Sequence, residues 1–323
     1  MRILVTGGAG FIGSHYVRTL LADGYPGWDG AHVTVLDALT YAGNRANLPG
    51  THPRLEFVEG DVRDRALLTE LLPGHDAVVH FAAESHVDRS VRGGSEFVET
   101  NVVGTHTLLE AVRRTGVPRI VCVSTDEVYG TIDEGSWTED FPLLPNSPYA
   151  AAKAGSDLIA RAYWRTHGLD VVLTRCCNNY GPHQHVEKLI PRFVTRLLSG
   201  GTVPLYGDGG NVREWLHVDD HCRAVHRVLE DGQPGGIYNI GGAEELTNLE
   251  LTRQLLELCG ADESRVVRVA DRPGHDRRYS LDASKIRTEL GWEPRIPLER
   301  GLSDTVAWYR DEPWWWKEQL DQA

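Results

Sequence analysis

The sequence is poor in cysteine, and this bounds what can hold the fold together. Its 323 residues include five cysteines, an odd number with no CxxC pair. Neither a disulfide framework nor a zinc site is therefore indicated, and a chain of this length buries enough apolar surface to need neither. Although fourteen histidines are present, His183 and His185 lie in a predicted loop. We predict no metal site.

Long apolar runs and excess positive charge are also absent. No apolar stretch approaches the roughly 18 residues that a membrane span requires. The net charge of −13 repels nucleic acid and acidic membrane surfaces, so an anionic ligand must be held by local Arg, Lys and backbone N–H groups. We therefore expect a cytoplasmic protein whose partner is a small molecule, with no nucleic-acid or membrane partner.

The first half of the chain alternates short β-branched runs with longer amphipathic ones. This alternation is typical of an α/β fold with a doubly wound parallel sheet. The predicted strands are Ile3–Thr6, Val33–Asp37, Leu55–Glu59, Ala77–Phe81, Ile120–Ser124 and Val171–Cys176. The predicted helices are Gly13–Ala22, Ala66–Leu72, Phe97–Arg114 and Pro148–His167.

After about residue 177 the rhythm changes, and loop-rich segments such as Asn178–His185 separate shorter elements. We predict two domains, with a nucleotide-binding Rossmann-type domain in residues 1–177. Residues 178–323 would form mainly a smaller substrate-binding lobe, with some segments returning to the first domain.

A glycine-rich turn, Thr6-Gly-Gly-Ala-Gly-Phe-Ile-Gly13, follows the first strand and opens the first helix. Glycines at this spacing let the backbone approach a pyrophosphate, and the helix N-terminus supplies N–H donors. Asp37 ends the second strand, where a carboxylate accepts hydrogen bonds from a ribose 2′-hydroxyl and favours NAD over NADP. The alternative for Asp37 is a simple capping role.

Two further strand ends carry residues that fit a dinucleotide. Asp61 and Val62 follow the third strand, where a carboxylate can reach an adenine edge. The fourth strand ends in Phe81-Ala-Ala-Glu-Ser85, whose small residues let a ligand lie against the backbone. Ligands of open α/β sheets bind at the carboxyl ends of strands.

A Tyr149-xxx-Lys153 pair begins the last predicted helix of the first half. A spacing of four places both side chains on one face. A lysine ammonium near a phenol lowers the pKa of the phenol, which would make Tyr149 a base near neutral pH. Such a pair also occurs on ordinary surface helices, but Ser124-Thr125 at the end of the fifth strand favours a catalytic site.

Together, these residues resemble the extended short-chain dehydrogenase/reductase family over nearly the whole chain, and within it the dTDP-glucose 4,6-dehydratases. Six motifs carry the resemblance: Phe81-Ala-Ala-Glu-Ser-His-Val-Asp-Arg-Ser90, Ser124-Thr-Asp-Glu-Val-Tyr-Gly130, Arg175-Cys-Cys-Asn-Asn-Tyr-Gly-Pro182, Glu187-Lys-Leu-Ile-Pro191, Asn211-Val-Arg-Glu-Trp215 and Asp271-Arg-Pro-Gly-His-Asp276. Of these, Thr125-Asp126-Glu127 is the most specific, because sugar epimerases of the same family generally lack the paired acids.

The resemblance implies NAD as cofactor and a catalytic set of five residues: Thr125, Asp126, Glu127, Tyr149 and Lys153. It implies cofactor binding by Gly7, Gly10, Phe11, Ile12, Gly13, Asp37, Leu39, Thr40, Asp61, Val62, Phe81, Ala82, Ala83, Ser85, Thr100, Tyr149, Lys153 and Asn179. It implies substrate binding by Ser85, Thr125, Asp126, Glu127, Asn178, Lys188, Leu189, Pro204, Tyr206, Arg213, Asn248, Arg272 and His275.

In the implied reaction, Tyr149 takes the proton of the glucose 4-hydroxyl during oxidation at C4. Glu127 then removes the C5 proton while a protonated Asp126 donates to the departing 6-hydroxyl. One carboxyl must be charged and the other neutral, and two neighbouring acids in a dry site have their pKa values pushed apart.

Two alternatives remain open. A nucleotide-sugar 4-epimerase would share Tyr149, Lys153 and NAD but would not need the paired acids. A non-catalytic NAD-binding regulator would have little need of Tyr149, Lys153, Asp126 and Glu127 together. The resemblance also implies a homodimer joined through Phe97–Arg114 and Pro148–His167, although sequence alone does not separate an interface stripe from a core stripe.

Overall fold

The structure, a computed structural model that describes residues 1–242 and 244–320, is organised around a parallel sheet of seven strands. The strands of the described residues are β1 (Arg2–Thr6), β2 (His32–Asp37), β3 (Leu55–Glu59), β4 (Ala77–His80), β5 (Ile120–Thr125), β6 (Val171–Cys176), β7 (Asn178–Tyr180), β8 (Val203–Tyr206), β9 (Val212–His217), β10 (Ile237–Ile240), β11 (Glu244–Thr247) and β12 (Val266–Val269). The large sheet has the order β10-β6-β5-β4-β1-β2-β3.

The helices cover both faces of this sheet and complete the second half of the chain. They are α1 (Phe11–Leu21), α2 (Arg65–Leu71), α3 (Val87–Arg92), α4 (Ser95–Phe97), α5 (Thr105–Thr115), α6 (Pro148–His167), α7 (Leu189–Leu198), α8 (Val218–Asp231), α9 (Asn248–Cys259), α10 (Ser284–Leu290), α11 (Leu298–Asp311) and α12 (Pro313–Leu320). Among the described residues, no helix is long and apolar enough to cross a membrane.

The expected Rossmann-type α/β fold is confirmed. The central strands are buried on both faces, as β6 is over its whole length, because helices cover a parallel sheet on each side. All six predicted strands form within one residue of their predicted ends. The seventh, β10, was not predicted; it comes from the second half of the chain and pairs with β6.

Two local predictions were wrong. The segment Phe97–Arg114, predicted as a helix, comprises the last residue of α4, a π-helix over Val98–Gly104 and nearly all of α5. Within the π-helix, Asn101 exchanges hydrogen bonds with the backbone of Glu84 at 2.9 and 3.0 Å. The predicted loop Asn178–His185 contains strand β7, which pairs with β9.

The second half of the chain also forms two small sheets, β11-β9-β7 and β12-β8. Their core includes Trp215, Leu251 and Leu302. The C-terminal helix α12 returns to the first half, where Trp315 Nε1 donates to Asn47 Oδ1 at 2.8 Å. The two-domain division predicted from the sequence stays a prediction.

Candidate active site

The glycine turn between β1 and α1 is packed too closely to tolerate side chains. Gly7 has φ of +69°, and a Cβ there would lie 2.5 Å from the Ala82 nitrogen. A Cβ on Gly13 would lie 2.3 Å from the Gly7 carbonyl oxygen. The turn therefore brings bare backbone, with the N-terminus of α1 behind it, to the carboxyl edge of the sheet.

Asp37 is fixed beside this turn by backbone donors. Its Oδ2 accepts from the Ala9 N–H at 2.8 Å and its Oδ1 from the Leu39 N–H at 2.9 Å. Burial raises the pKa of Asp37, and these N–H groups partly offset the rise. The bond to Leu39 is the turn-capping contact that the sequence left open. Each carboxylate oxygen has a second lone pair with which to accept a hydroxyl.

Asp61 and Val62 lie at the next strand end with different environments. Asp61 pairs with Arg63 at 2.7 Å, and this hydrogen bond holds its pKa below the usual range. Val62 is buried against Gly104 of the π-helix. Thr100, on the same π-helix, and Ala82 and Ala83, after β4, are half-buried.

Tyr149 and Lys153 are both buried on α6, as their spacing predicts. Lys153 Nζ donates to the Val123 carbonyl at 2.7 Å. Burial raises the pKa of Tyr149 well above its ordinary value, and Glu127 adds to the rise. The expected lowering of the Tyr149 pKa by Lys153 is therefore wrong for the residues that the structure describes.

The paired acids follow β5 in a short 3-10 turn, Asp126–Tyr129. Asp126 is 2% exposed, and one of its oxygens, Oδ2, is buried without a hydrogen-bond partner. Burial and the neighbouring Glu127 raise the pKa of Asp126 to about 8. Asp126 is therefore mainly neutral at pH 7.

Glu127 differs from Asp126 in the charges that face it. Burial raises the pKa of Glu127, but the positive charges of Arg272, Arg213 and Lys188 oppose the rise. Arg213 also lowers the pKa of Asp126. The two adjacent carboxyls therefore differ in their preference for the proton chiefly because Arg272 and Lys188 act on Glu127.

These three cations come from separate segments of the second half. Lys188 Nζ donates to the Ser85 carbonyl at 2.6 Å. Arg272 pairs with Asp88 at 2.7 Å. Arg213 is 5% exposed on β9. The tertiary structure therefore brings all three predicted substrate-binding cations to the acid pair.

The predicted amides also have free hydrogen-bonding capacity. The side-chain oxygens of Asn178, Asn179 and Asn248 are buried and have no partner among the described residues. Buried amide oxygens are normally satisfied, so these three are candidates to bind a ligand.

The positions of the remaining predicted substrate residues do not by themselves indicate a role in binding. Leu189 begins α7, and Pro204 and Tyr206 lie half-buried on β8. His275 Nδ1 contacts Asp271 Oδ1 at 2.6 Å, and its ring lies edge-on to Tyr206 with centroids 6.2 Å apart. The roles of these residues stay predictions, as do those of Phe11, Ile12 and Thr40.

Two residues that hold Arg213, Asp276 and Tyr279, were not among the predicted site residues. The guanidinium carbon lies 4.1 Å from the centre of the Tyr279 ring, and Nη2 donates to the Asp276 carbonyl at 2.9 Å. Tyr279 in turn donates to Asp276 Oδ2 at 2.6 Å. Asp276 ends the motif Asp271-Arg-Pro-Gly-His-Asp276, whereas nothing in the local sequence marks Tyr279.

Comparison with known proteins identifies the family of the chain. The family model for GDP-mannose 4,6 dehydratase matches residues 4–305. A dTDP-glucose 4,6-dehydratase of Streptomyces niveus is 59% identical over 319 residues, covering 98% of this chain and 95% of the relative. The chain belongs to the dTDP-glucose 4,6-dehydratase family.

Solved structures of this family superpose on nearly the whole chain. DesIV, a dTDP-glucose 4,6-dehydratase from Streptomyces venezuelae solved with NAD and a second ligand bound, is 65% identical with a TM-score of 0.98, covering 99% of this chain and 100% of its own. A UDP-glucose 4-epimerase from Thermotoga maritima is 34% identical with a TM-score of 0.89, covering 96% and 99%. The fold is thus common to dehydratases and epimerases, and side chains must separate the two activities.

Proposed function

We propose that this chain is an NAD-dependent hydro-lyase that converts dTDP-glucose into dTDP-4-keto-6-deoxyglucose. The observation that carries the proposal is the acid pair: Asp126 has a pKa of about 8, whereas three cations face Glu127. An elimination of water needs one neutral and one ionised carboxyl side by side. A 4-epimerase needs neither.

The residues of the first half fit NAD. The backbone cradle at Gly7 leaves no room for a Cβ, Asp37 presents fixed carboxylate oxygens, and Asn179 has an unpartnered Oδ1. We assign dinucleotide binding to the glycine turn, Asp37 and the residues after β3 and β4. When bound, NAD accepts hydride from the sugar C4 and returns it to C6, so the reaction is redox-neutral.

The side chains of the chain divide the proton transfers. Burial holds the pKa of Tyr149 high in the protein alone. Tyr149 would therefore take the proton of the 4-hydroxyl, which Thr125 orients, when the positive charge of bound NAD lies beside it and lowers that pKa. The resulting ketone acidifies the C5–H, and Glu127 removes that proton. Asp126 then donates its proton to the leaving 6-hydroxyl so that water departs. When hydride returns to C6, C5 takes a proton again from Glu127, which regenerates the Glu127 carboxylate.

Substrate binding relies on cations and amides from the second half. Arg213 and Lys188 are suited to a diphosphate, since guanidinium supplies paired donors and ammonium a compact charge. Asn178 and Asn248 have buried oxygens free to accept from the nucleotide.

Product analysis tests the proposal. The purified protein is incubated with dTDP-, UDP- and CDP-glucose, and a 4-keto-6-deoxy product from the dTDP sugar is expected. A 4-epimer that retains its 6-hydroxyl would support the epimerase alternative, and no turnover together with NAD binding would support the non-catalytic alternative.

A variant pair tests the role of Glu127. Glu127→Gln should slow elimination by about 10²-fold or more, because the base for C5 is lost. Exposed Glu134, in the loop after the acid pair, provides the control Glu134→Gln, which should retain wild-type turnover. Wild-type elimination by Glu127→Gln would remove Glu127 from the mechanism.

Homodimeric assembly is part of the proposal. Val98 and Val103 of the π-helix are 51% and 47% exposed, and Leu158 of α6 is 58% exposed. The two segments pack against each other, and Val98, Val102 and Ala151 line a groove between them. Exposed apolar side chains on neighbouring helices favour a partner at this surface.

We also propose a cytoplasmic location. All five cysteines are free thiols in the structure, and four of them are buried. Unpaired thiols fit a reducing compartment.

A further inference from the structure

The segment Ser85–Arg89 joins the first half of the chain to the second through three polar contacts. The Ser85 carbonyl accepts from Lys188 at 2.6 Å. Asp88 Oδ1 accepts from Arg272 Nη1 at 2.7 Å, and Arg89 pairs with Glu187 at 2.5 Å. Two of the three contacts therefore engage cations that face Glu127.

The Asp88–Arg272 pair leaves one edge of the guanidinium free. Nη1 of Arg272 is bound to Asp88, whereas Nε is buried and has no partner among the described residues. The side chains of Asp88 and Arg272 are 26% and 22% exposed. A buried N–H without an acceptor is costly, so its retention points to an anion that binds there.

We propose that Asp88 is a positioning residue for substrate recognition, which holds Arg272 by Nη1 so that its Nε edge receives the substrate diphosphate. This inference rests on the proposed function, because it assumes a nucleoside diphosphate ligand. A guanidinium clamped at one edge by a carboxylate has its plane fixed and loses less side-chain freedom when it binds an anion.

A negative charge at Asp88 can instead weaken diphosphate binding, so the direction in which the affinity changes distinguishes the two roles. Asp88 carries negative charge near a site for an anion. Partial burial raises its pKa, but the hydrogen bond and charge of Arg272, together with the charges of His86 and Arg192, hold it below the usual range. If Asp88 only occupied Arg272 as a competing anion, removing its charge would tighten diphosphate binding. If Asp88 positions Arg272, removing its charge weakens binding.

The experiment measures dTDP and thymidine affinities of the full-length protein by calorimetry. Asp88→Asn should raise the dissociation constant for dTDP by about tenfold and leave that for thymidine within about twofold, because only dTDP has the diphosphate. The KM for dTDP-glucose should rise by a similar factor, with a much smaller change in kcat. Tighter dTDP binding, an unchanged dTDP affinity or an equal loss for thymidine would each overturn the proposal.

A double-mutant cycle separates positioning from a general structural effect. In an Arg272→Ala background, Asp88→Asn should cause no further loss of dTDP affinity, because there is no guanidinium left to hold. An additional tenfold loss in that background contradicts the proposal. The thermal midpoint of each variant reports whether folding has changed.

A matched control lies in the same region of the chain. Arg277 pairs with exposed Asp208 at 2.9 Å, so Asp208→Asn also removes one carboxylate from an ion pair of the 271–277 segment. This variant should bind dTDP like the wild type. Because these binding measurements need no turnover, loss of the proposed dehydratase activity and failure of this inference give different results.

Discussion

The hydroxyl of Thr125 donates to Oδ1 of Asp126 at 3.2 Å. The other oxygen of Asp126, Oδ2, is buried without a partner. A neutral carboxyl places its own proton on such an oxygen and can deliver it to an acceptor. The geometry thus agrees with the raised pKa of about 8 and supports the assignment of Asp126 as the acid.

The first prediction concerns the pH dependence of elimination. Because Asp126 must be protonated to donate, the elimination rate should fall as pH rises through about 8. Asp126→Asn should still allow the first oxidation but slow elimination by about 10²-fold or more. Rapid-mixing experiments that follow NADH absorbance and product separately would show this. Elimination that speeds up above that pH would rule out Asp126 as the acid.

The raised pKa of Asp126 also predicts that the free energy of unfolding depends on pH. The folded protein holds the Asp126 proton up to about pH 8, whereas the ordinary pKa is 3.8. Between these values the folded state binds more protons than the unfolded state, so stability falls as pH rises. Asp126→Asn should therefore lose less of its thermal midpoint than the wild type between about pH 5 and 8. Parallel pH profiles of the two proteins would contradict the shift.

Alanine substitutions at Gly7 and Gly116 separate the effect of a positive φ from the effect of close packing. Gly7→Ala should destabilise the protein and abolish NAD binding, because its φ is +69° and its Cβ would lie 2.5 Å from Ala82. Gly116 has φ of +74° with nothing within 4 Å of a Cβ, so Gly116→Ala should cost only the backbone term of about 1–2 kcal/mol. Calorimetry and NAD content would compare the two. Equal effects would show that the contact with Ala82 is unimportant.

A buried ion pair joins α6 to β6 one helical turn after Lys153. Arg175 Nε donates to Asp157 Oδ2 at 2.9 Å, and the two side chains are 4% and 2% exposed. Asp157→Asn should lower the free energy of unfolding by about 3–5 kcal/mol, because it leaves a buried guanidinium without its counter-charge. Denaturant titration measures the change. The exposed pair Arg253–Glu263 is the control: Glu263→Gln should have a much smaller effect.

The proposed dimer surface can be tested with one charge. Leu158→Glu should convert a dimer into monomers, because it buries a carboxylate in an apolar interface. Val267 on β12 is 45% exposed, and Val267→Glu should leave the assembly intact. Light scattering would measure the mass of each variant. A wild-type mass for Leu158→Glu would place the interface elsewhere.

Sequence patterns predicted the sheet well because most of its strands are buried on both faces, the edge strand β3 being partly exposed. Continuous β-branched runs bounded by glycine and polar residues are a local signal, and all six predicted strands formed. Strand β10 was missed because Ile237–Ile240 is short and its place beside β6 depends on a long-range pairing. The π-helix was missed because its wide turn depends on contacts of Asn101 with Glu84, a residue distant in sequence.

The candidate site divides in the same way. Short motifs marked the glycine turn, the acid pair and the Tyr149–Lys153 spacing, since each acts over one turn of backbone. The pKa of Tyr149 was predicted with the wrong sign, because its value depends on burial and on where Lys153 donates its hydrogen bond.

The sequence by itself determined the Rossmann-type sheet, the helix that carries Tyr149 and Lys153, and the adjacency of Asp126 and Glu127, because strand and helix patterns are local. Only the tertiary structure decided that Asp126 is buried enough to keep a proton while Arg213, Lys188 and Arg272 converge on Glu127. Burial and through-space charge depend on segments far apart in the chain, and no local pattern encodes them.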